Sequence, residues 1–210
     1  AATAAAAQYP CRLLIVVRRR PDAPEPRLDA EVSVGGRLGP GEAVVMRMYG
    51  RLALHAESVV LPLLAPDAPV VTWWFGEPPH LIAHDPLGVI ADRRITDSRG
   101  AIDPLASLTG RAHDFAPGDT DLAWTRTTLW RSLCASAFDS FSGDVESVVV
   151  SGFPSSPTRA LLAGWLRARL HTEVALREPA APGPTGGELC VGGSPFTTAR
   201  PTALTARAPP

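Results

Sequence analysis

The sequence contains neither lysine nor asparagine, so all twenty basic side chains are arginines, set against twenty-one acidic ones for a formal charge of −1. That balance leaves no broad positive field to draw the chain to nucleic acid or to an anionic lipid surface, and neither is expected as a partner. The two missing residue types, beside abundant Ala, Arg, Gly and Pro, read as GC-rich coding bias, and counts of those residues carry little chemical weight. Cysteine is scarce: Cys11, Cys134 and Cys190 are far apart, odd in number and form no C-x-x-C pair. This argues against a zinc site and against a secreted disulfide framework, and points to the cytoplasm. Long apolar runs are missing too, because the stretch from Ser58 to Phe75 is broken by Pro62, Pro66, Asp67 and Pro69, so no membrane span is expected. The Ala-rich start has no basic n-region and no initiator methionine. It reads as the entry into a longer chain or a cropped segment, with residues 1–8 a disordered lead-in.

What remains is ample for a folded protein. With 210 residues, 45% apolar and 20% charged, the chain can bury a core as one domain or two small ones. Leu13 to Val17 is a continuous apolar run closed by Arg18, Arg19 and Arg20, the pattern of a strand covered on both faces. Leu28 to Val34 and Ala43 to Met48 read as two further strands, ended by Gly35–Gly36 and Gly50. Arg51 to Leu64 fits a helix stopped by Pro66, and Val70 to Phe75 a strand. Asp85-Pro86-Leu87 and Asp103-Pro104-Leu105 each set a capping carboxylate before a proline at the first helical position, so both open short helices. A buried stripe of Leu129, Trp130, Leu133, Cys134, Ala137, Phe138 and Phe141 predicts a helix from about Thr127 to Asp139. Val145 to Val150 reads as a buried strand. Ser156 and Pro157 start a helix with the stripe Leu161, Leu162, Trp165, Leu166 and Leu170. A weak strand follows at Glu173 to Leu176, and beyond Pro179 only Glu188 to Val191 and Thr202 to Ala206 look strand-like. The order implies an α/β fold: a layered, mostly parallel or mixed central sheet flanked by helices, with an irregular or β-hairpin C-terminal end. Residues 9–178 are expected to form this α/β domain, with a sub-boundary near 110–125, and residues 179–210 a Pro/Gly-rich tail or edge hairpin.

Few residues suggest chemistry. His80, His84 and Asp85 lie between prolines in a loop and lack a third protein ligand, so no metal is expected there. The junction from Ser151 to Ser156 offers hydroxyls and a helix N-terminus to an anion, yet matches neither a P-loop nor a nucleophile elbow and reads as a capped turn. Cys134 sits mid-stripe as a small hydrophobe with no partner histidine in view. The arginines 18–20 read as a solvated strand end. Two segments stand out, Trp73-Trp74 and Gly118 to Arg126 leading into Trp130 and Arg131, because they hold four of the five tryptophans. Successive strand residues face opposite sides, so Trp73 and Trp74 share one core layer only if the sheet is covered on both faces. Either one of them is an exposed anchor, or the segments are aromatic core with Asp119 or Asp121 capping a helix; spacing leaves both open.

The same segments carry a family likeness. RLDAEVSVGG (Arg27 to Gly36), DAPVVTWWFGEPP (Asp67 to Pro79), DPLG with RRITDS (Asp85 to Ser98), and GDTDLAWTR with the LWRSL helix together resemble the OpcA family, over about three quarters of the chain from Tyr9 to Leu170. The resemblance implies a cytoplasmic, non-catalytic assembly factor and allosteric activator of glucose-6-phosphate dehydrogenase, in the oxidative pentose phosphate pathway, with no catalytic residue and no cofactor of its own. The tail after Pro179 departs from the pattern, and redox control is not carried over onto Cys11, Cys134 or Cys190. The expected partner-binding residues are Trp73, Trp74, Asp119, Asp121, Trp124 and Arg131. The rival reading is a sugar-phosphate-binding module or enzyme that uses the 151–156 turn, Arg126, Arg131 and the Asp119/Asp121 pair.

Overall fold

The structure, a computed structural model, describes residues 2–9, 11–36, 41–139, 145, 147–178, 187–191, 194–198 and 203–207; for 2, 3, 7, 147 and the last three stretches it describes the backbone alone. Phe141, the segment 179–186 and the Cys190 side chain, all read from the sequence above, lie outside what is described. The elements in chain order are α1 (Ala2–Gln8), β1 (Arg12–Arg18), β2 (Arg27–Val34), β3 (Glu42–Tyr49), α2 (Ala56–Val60), β4 (Val71–Trp73), α3 (Pro86–Val89), β5 (Arg93–Thr96) and α4 (Pro104–His113). There follow β6 (Asp119–Asp121), α5 (Leu122–Arg126), α6 (Thr128–Asp139), β7 (Ser147–Ser151), α7 (Pro157–Leu170), β8 (Val174–Arg177), β9 (Gly187–Val191), β10 (Ser194–Thr198) and β11 (Ala203–Arg207). The result is a mixed α/β fold with a strand-rich C-terminal end, as the sequence led us to expect. The chain packs as two compact units, Ala1–Thr72 with His84–Asp92, and Trp73–Ala83 with Arg93–Pro210. The α/β domain expected over 9–178 carried its sub-boundary near 110–125, away from these places. Residues 84–92 join the first unit out of sequence order, so no shift in composition marks the boundary.

In the first unit β3 is the central strand, parallel to β1 and antiparallel to β2. Alternation sends Val44, Met46 and Met48 to one face together with Leu14 and Val16, where Ala53, Ala56, Val60, Leu87 and Ile90 close a core over them. The opposite face puts Ala43 and Leu13 against Ala6 of α1. Cover on both sides explains why β1 reads as an unbroken apolar run. It also corrects the lead-in: residues 2–8 form a helix, since alanine has the best helical propensity and Ala6 is buried. The helix expected over 51–64 is broken into a 3-10 turn at Gly50–Leu54, α2, and a second 3-10 turn at Leu61–Leu63. Pro62 has no N–H to continue the ladder, and His55, at φ −119° and ψ 45°, leaves the helical region. Gly50 has φ +60°, and a Cβ there would lie 2.9 Å from the carbonyl oxygens of Ala23 and Glu25, so no other residue fits.

The second unit contains a core of Trp130 and Cys134 from α6, Val148 and Val150 from β7, and Leu162, Ala163 and Leu166 from α7. Its five-stranded sheet has the order β10-β9-β11-β7-β8. β9 and β10 form an antiparallel hairpin at one edge, while β11 lies between β9 and β7. Ser156 caps α7 by accepting from the Arg159 N–H at 3.3 Å, with Pro157 in the first turn. The caps foreseen at Asp85 and Asp103 also form, accepting from Leu87 N–H at 2.9 Å and Ala106 N–H at 3.0 Å. In a second sheet of this unit β5 and β6 pair in parallel. Neither β5, β6 nor β10 was foreseen.

Cys134 is fully buried in the apolar core of the second unit, where it packs as a small hydrophobe, and burial pushes its thiol up to about 12. Cys134→Ser should lower the unfolding free energy by about 1 to 3 kcal/mol, read by denaturant unfolding, because a hydroxyl is poorly satisfied among apolar side chains. A thiol reagent at neutral pH should label exposed Cys11 and leave Cys134 untouched until the protein unfolds.

Candidate docking site

The β5–β6 register pairs Arg94 with Asp119 and Thr96 with Asp121, so both carboxylates face the same side of the sheet as Arg94 and Thr96. Asp119 takes the Arg94 Nε–H at 2.5 Å and the Ala116 N–H at 2.9 Å, and Arg94 also donates from Nη2 to the Pro117 carbonyl at 2.6 Å. The two side chains are only 10% and 8% exposed. Asp121 is used more fully. Its Oδ2 accepts from the Thr96 hydroxyl at 2.9 Å, the Ser98 N–H at 2.9 Å and the Ser98 hydroxyl at 2.6 Å, while Oδ1 caps α5 through the Ala123 N–H at 2.8 Å. Both aspartates expected to face a partner are therefore spent inside the unit, for a plain reason: a buried carboxylate must be paired and hydrogen-bonded.

Beside them, Arg126 forks onto Asp97 at 2.7 and 2.5 Å. The bidentate bond holds the Asp97 carboxyl below its usual 3.8, against the opposing effect of desolvation. The same bond raises Arg126. Thr127, fully buried, donates its hydroxyl to the Trp124 carbonyl at 2.7 Å and accepts from Arg131 Nε at 3.0 Å. That fixes the Arg131 guanidinium 4.0 Å from the centre of the Trp124 ring, with a further bond from Nη2 to the Thr128 hydroxyl at 3.2 Å. Trp124 is 36% exposed, and Leu129, also solvent-facing, is 52% exposed.

The other tryptophan pair lies across the sheet. The Trp74 N–H donates to the Ile95 carbonyl at 3.0 Å, which ties it to β5. Trp73 and Trp74 are both half-buried. The Trp73 ring meets Phe75 edge-on at 5.7 Å, and its indole N–H is buried without an acceptor among the described residues. Phe75, missed in the sequence, is the exposed aromatic here at 84%. Its place just after the strand, before Gly76, was the available signal. Leu129 was counted in the buried stripe and instead faces solvent.

Of the groups of the rival anion site, Arg126, Asp119 and Asp121 are engaged elsewhere, while Arg131 has no carboxylate partner among the described residues. Arg126 is paired with Asp97, and Arg159, at the 151–156 turn, gives Nη1 to the carbonyls of Gly152 and Arg177 and Nη2 to that of Pro154. His80 and His84 are exposed, and among the described residues no three His, Cys, Asp or Glu side chains are grouped to hold a metal ion. No helix of the described residues is long and apolar enough to cross a membrane.

Comparison with known families bears on what this arrangement serves. The family described as glucose-6-phosphate dehydrogenase subunit, N-terminal domain, matches residues 2–113, and its C-terminal domain counterpart matches 117–206. The chain belongs to the OpcA family. A protein of Synechocystis sp. (strain ATCC 27184 / PCC 6803 / Kazusa) named as a putative OxPP cycle protein OpcA is 24% identical over 127 residues, covering 54% of this chain. The chain spans about a quarter of that relative's length, 26% by the aligned share. No solved structure matches it. The two OpcA domains meet between residues 113 and 117, just after α4, whereas the compact units divide near residues 72, 83 and 92.

Two outcomes follow for the internal bonds. Asp119→Ala leaves the Arg94 guanidinium buried without its carboxylate and should cost about 3 to 5 kcal/mol of stability in denaturant unfolding. Asp97→Asn should be less stable than the parent protein at neutral pH. Because the folded carboxyl is depressed, its stabilisation is present above the unfolded value near 3.8 and is lost as pH falls through the folded one. The gap between the two proteins should therefore close in acid, as followed by thermal unfolding against pH.

Proposed function

We propose that the chain is a non-catalytic assembly factor and allosteric activator of glucose-6-phosphate dehydrogenase, acting in the cytoplasm on the oxidative pentose phosphate pathway. The observation that carries this reading is membership of the OpcA family over both of its domains, 2–113 and 117–206. The name of the Synechocystis relative, an OxPP cycle protein, agrees with it. An activator needs no substrate contact. It needs to bind the active conformation of its partner better than the inactive one, and that difference alone shifts the equilibrium. Internal use of Asp97, Asp119, Asp121, Arg94 and Arg126 supports a scaffold role over a catalytic one.

The docking surface in this reading is built from Trp124 and Arg131, with Trp73, Trp74 and Phe75 in the same unit, while Asp119 and Asp121 support it from within. Surfaces held rigid before contact lose little conformational freedom on association, which favours affinity. Trp and Arg are also the residue types that most often dominate binding energy.

Steady-state assays of the dehydrogenase, with and without the chain, test the function. The expected result is a higher dehydrogenase rate with the chain present and no turnover by the chain alone. An unchanged rate at saturating chain, with complex formation shown separately, contradicts activation; turnover by the chain alone contradicts the non-catalytic reading. Trp124→Ala should weaken the complex by about 2 kcal/mol or more while leaving thermal unfolding nearly unchanged, since the ring is partly exposed. A large loss of stability with normal binding would instead make Trp124 a core residue.

A further inference from the structure

We infer that Arg131, held over the Trp124 ring, is the receptor for a single carboxylate on the surface of the dehydrogenase, an inference that rests on the docking reading above. Three observations lead there. First, the guanidinium is already fixed: it lies 4.0 Å from the Trp124 ring centre, with Nε bonded to Thr127 and Nη2 to Thr128. Thr127 is itself buried and tied to the Trp124 carbonyl, so the shelf and the cation form one rigid piece. An arginine usually gives up considerable rotamer freedom to make a salt bridge, and here that ordering is complete before the partner arrives.

Second, its charge is unanswered. Arg94 and Arg126, the other two arginines of the candidate site, are answered by acids, Asp119 and Asp97. Among the described residues Arg131 has no carboxylate partner. Its neighbours on the helix are neutral hydroxyls, which orient the cation without cancelling it. Third, the surroundings select the kind of anion. One guanidinium with an open Nη1 edge suits the two oxygens of a carboxylate. The same fork also fits a phosphate, whose larger charge favours a second cation, and Arg126 is already committed to Asp97. The exposed face of Trp124 and the exposed Leu129 add apolar area around the charge, the setting of an acidic side chain on a protein surface.

The test is the affinity of the dehydrogenase for the full chain and for Arg131→Leu, Arg131→Lys and Arg131→Glu, measured by titration calorimetry at low and at high salt. A charge-assisted hydrogen bond lost at the interface should weaken Arg131→Leu about ten- to a hundredfold, with Arg131→Lys intermediate because it keeps the charge and loses the fork. The parent complex should weaken with salt more steeply than the Arg131→Leu complex. Arg131→Glu should bind worst, and reversing one Asp or Glu on the dehydrogenase to Arg should restore it. Arg131→Leu, which leaves no new charge on the helix, decides the matter should Arg131→Glu unfold. Parent-like affinity and salt dependence in Arg131→Leu would overturn the inference while leaving the dehydrogenase partnership intact. If the parent chain itself fails to bind, both fall. Heat on adding inorganic phosphate or glucose 6-phosphate to the chain alone, abolished by Arg131→Leu, would also overturn it by making Arg131 a small-anion site.

Discussion

The carboxylate of Asp121 is the constraint on which the candidate site depends. A three-residue strand has too few ladder bonds to be stable by itself, and β6 is that short. Asp121 compensates by gathering four donors, from Thr96, from both polar groups of Ser98 and from Ala123, so that one side chain joins β5, the turn after it and the first turn of α5. Two residues earlier Asp119 repeats the device with Arg94 and Ala116. Each carboxylate accepts enough bonds to offset removal from water. Losing either partner would leave a charge or a set of donors stranded, so this polar face specifies one arrangement where an apolar one would tolerate several.

From that fastening the exposed groups inherit their positions. The cap at Ala123 sets where α5 begins, α5 sets Trp124, and Thr127 couples the Trp124 carbonyl to Arg131. The two units reach order by different physics. The first buries Met46 and Met48 under small residues in the usual apolar manner, whereas the β5–β6 face of the second is polar throughout: Arg94, Thr96 and Ser98 are all buried. A surface built on such a network moves as one body, which suits a protein whose proposed task is to hold one conformation of a partner.

The difference in physics explains what could be read from the sequence. β1, β3, α6 and α7 are legible because their buried positions are apolar and recur at the strand or helix period, as in Leu162 and Leu166, or Trp130 and Cys134. β5 and β6 are not, because RRIT and DTD carry charge where a buried strand normally carries Val or Ile, and only the cross-strand partner shows that Arg94 and Asp119 cancel. Capping signals at Asp85, Asp103 and Ser156 were local and so readable, and the cap by Asp121 stood as one of two open alternatives. Position 55 and Pro62 show the limit of a periodic reading, since the pattern from 51 to 64 is helical in composition yet broken in the backbone. The exposure of Leu129 was hidden because an apolar residue at the rim of a helical stripe carries no mark of which side it faces.

In the proposed complex the chain meets the dehydrogenase through the face set by Asp121, at Trp124 and Arg131. Hydrogen–deuterium exchange of the full chain, with and without saturating dehydrogenase, tests this most directly, because it reports on every backbone amide without altering a residue. Added protection is expected across residues 122–132, with a smaller effect at 73–76. Protection confined to other segments, such as the exposed edge strand β2, with 122–132 exchanging as in the free chain, would contradict it.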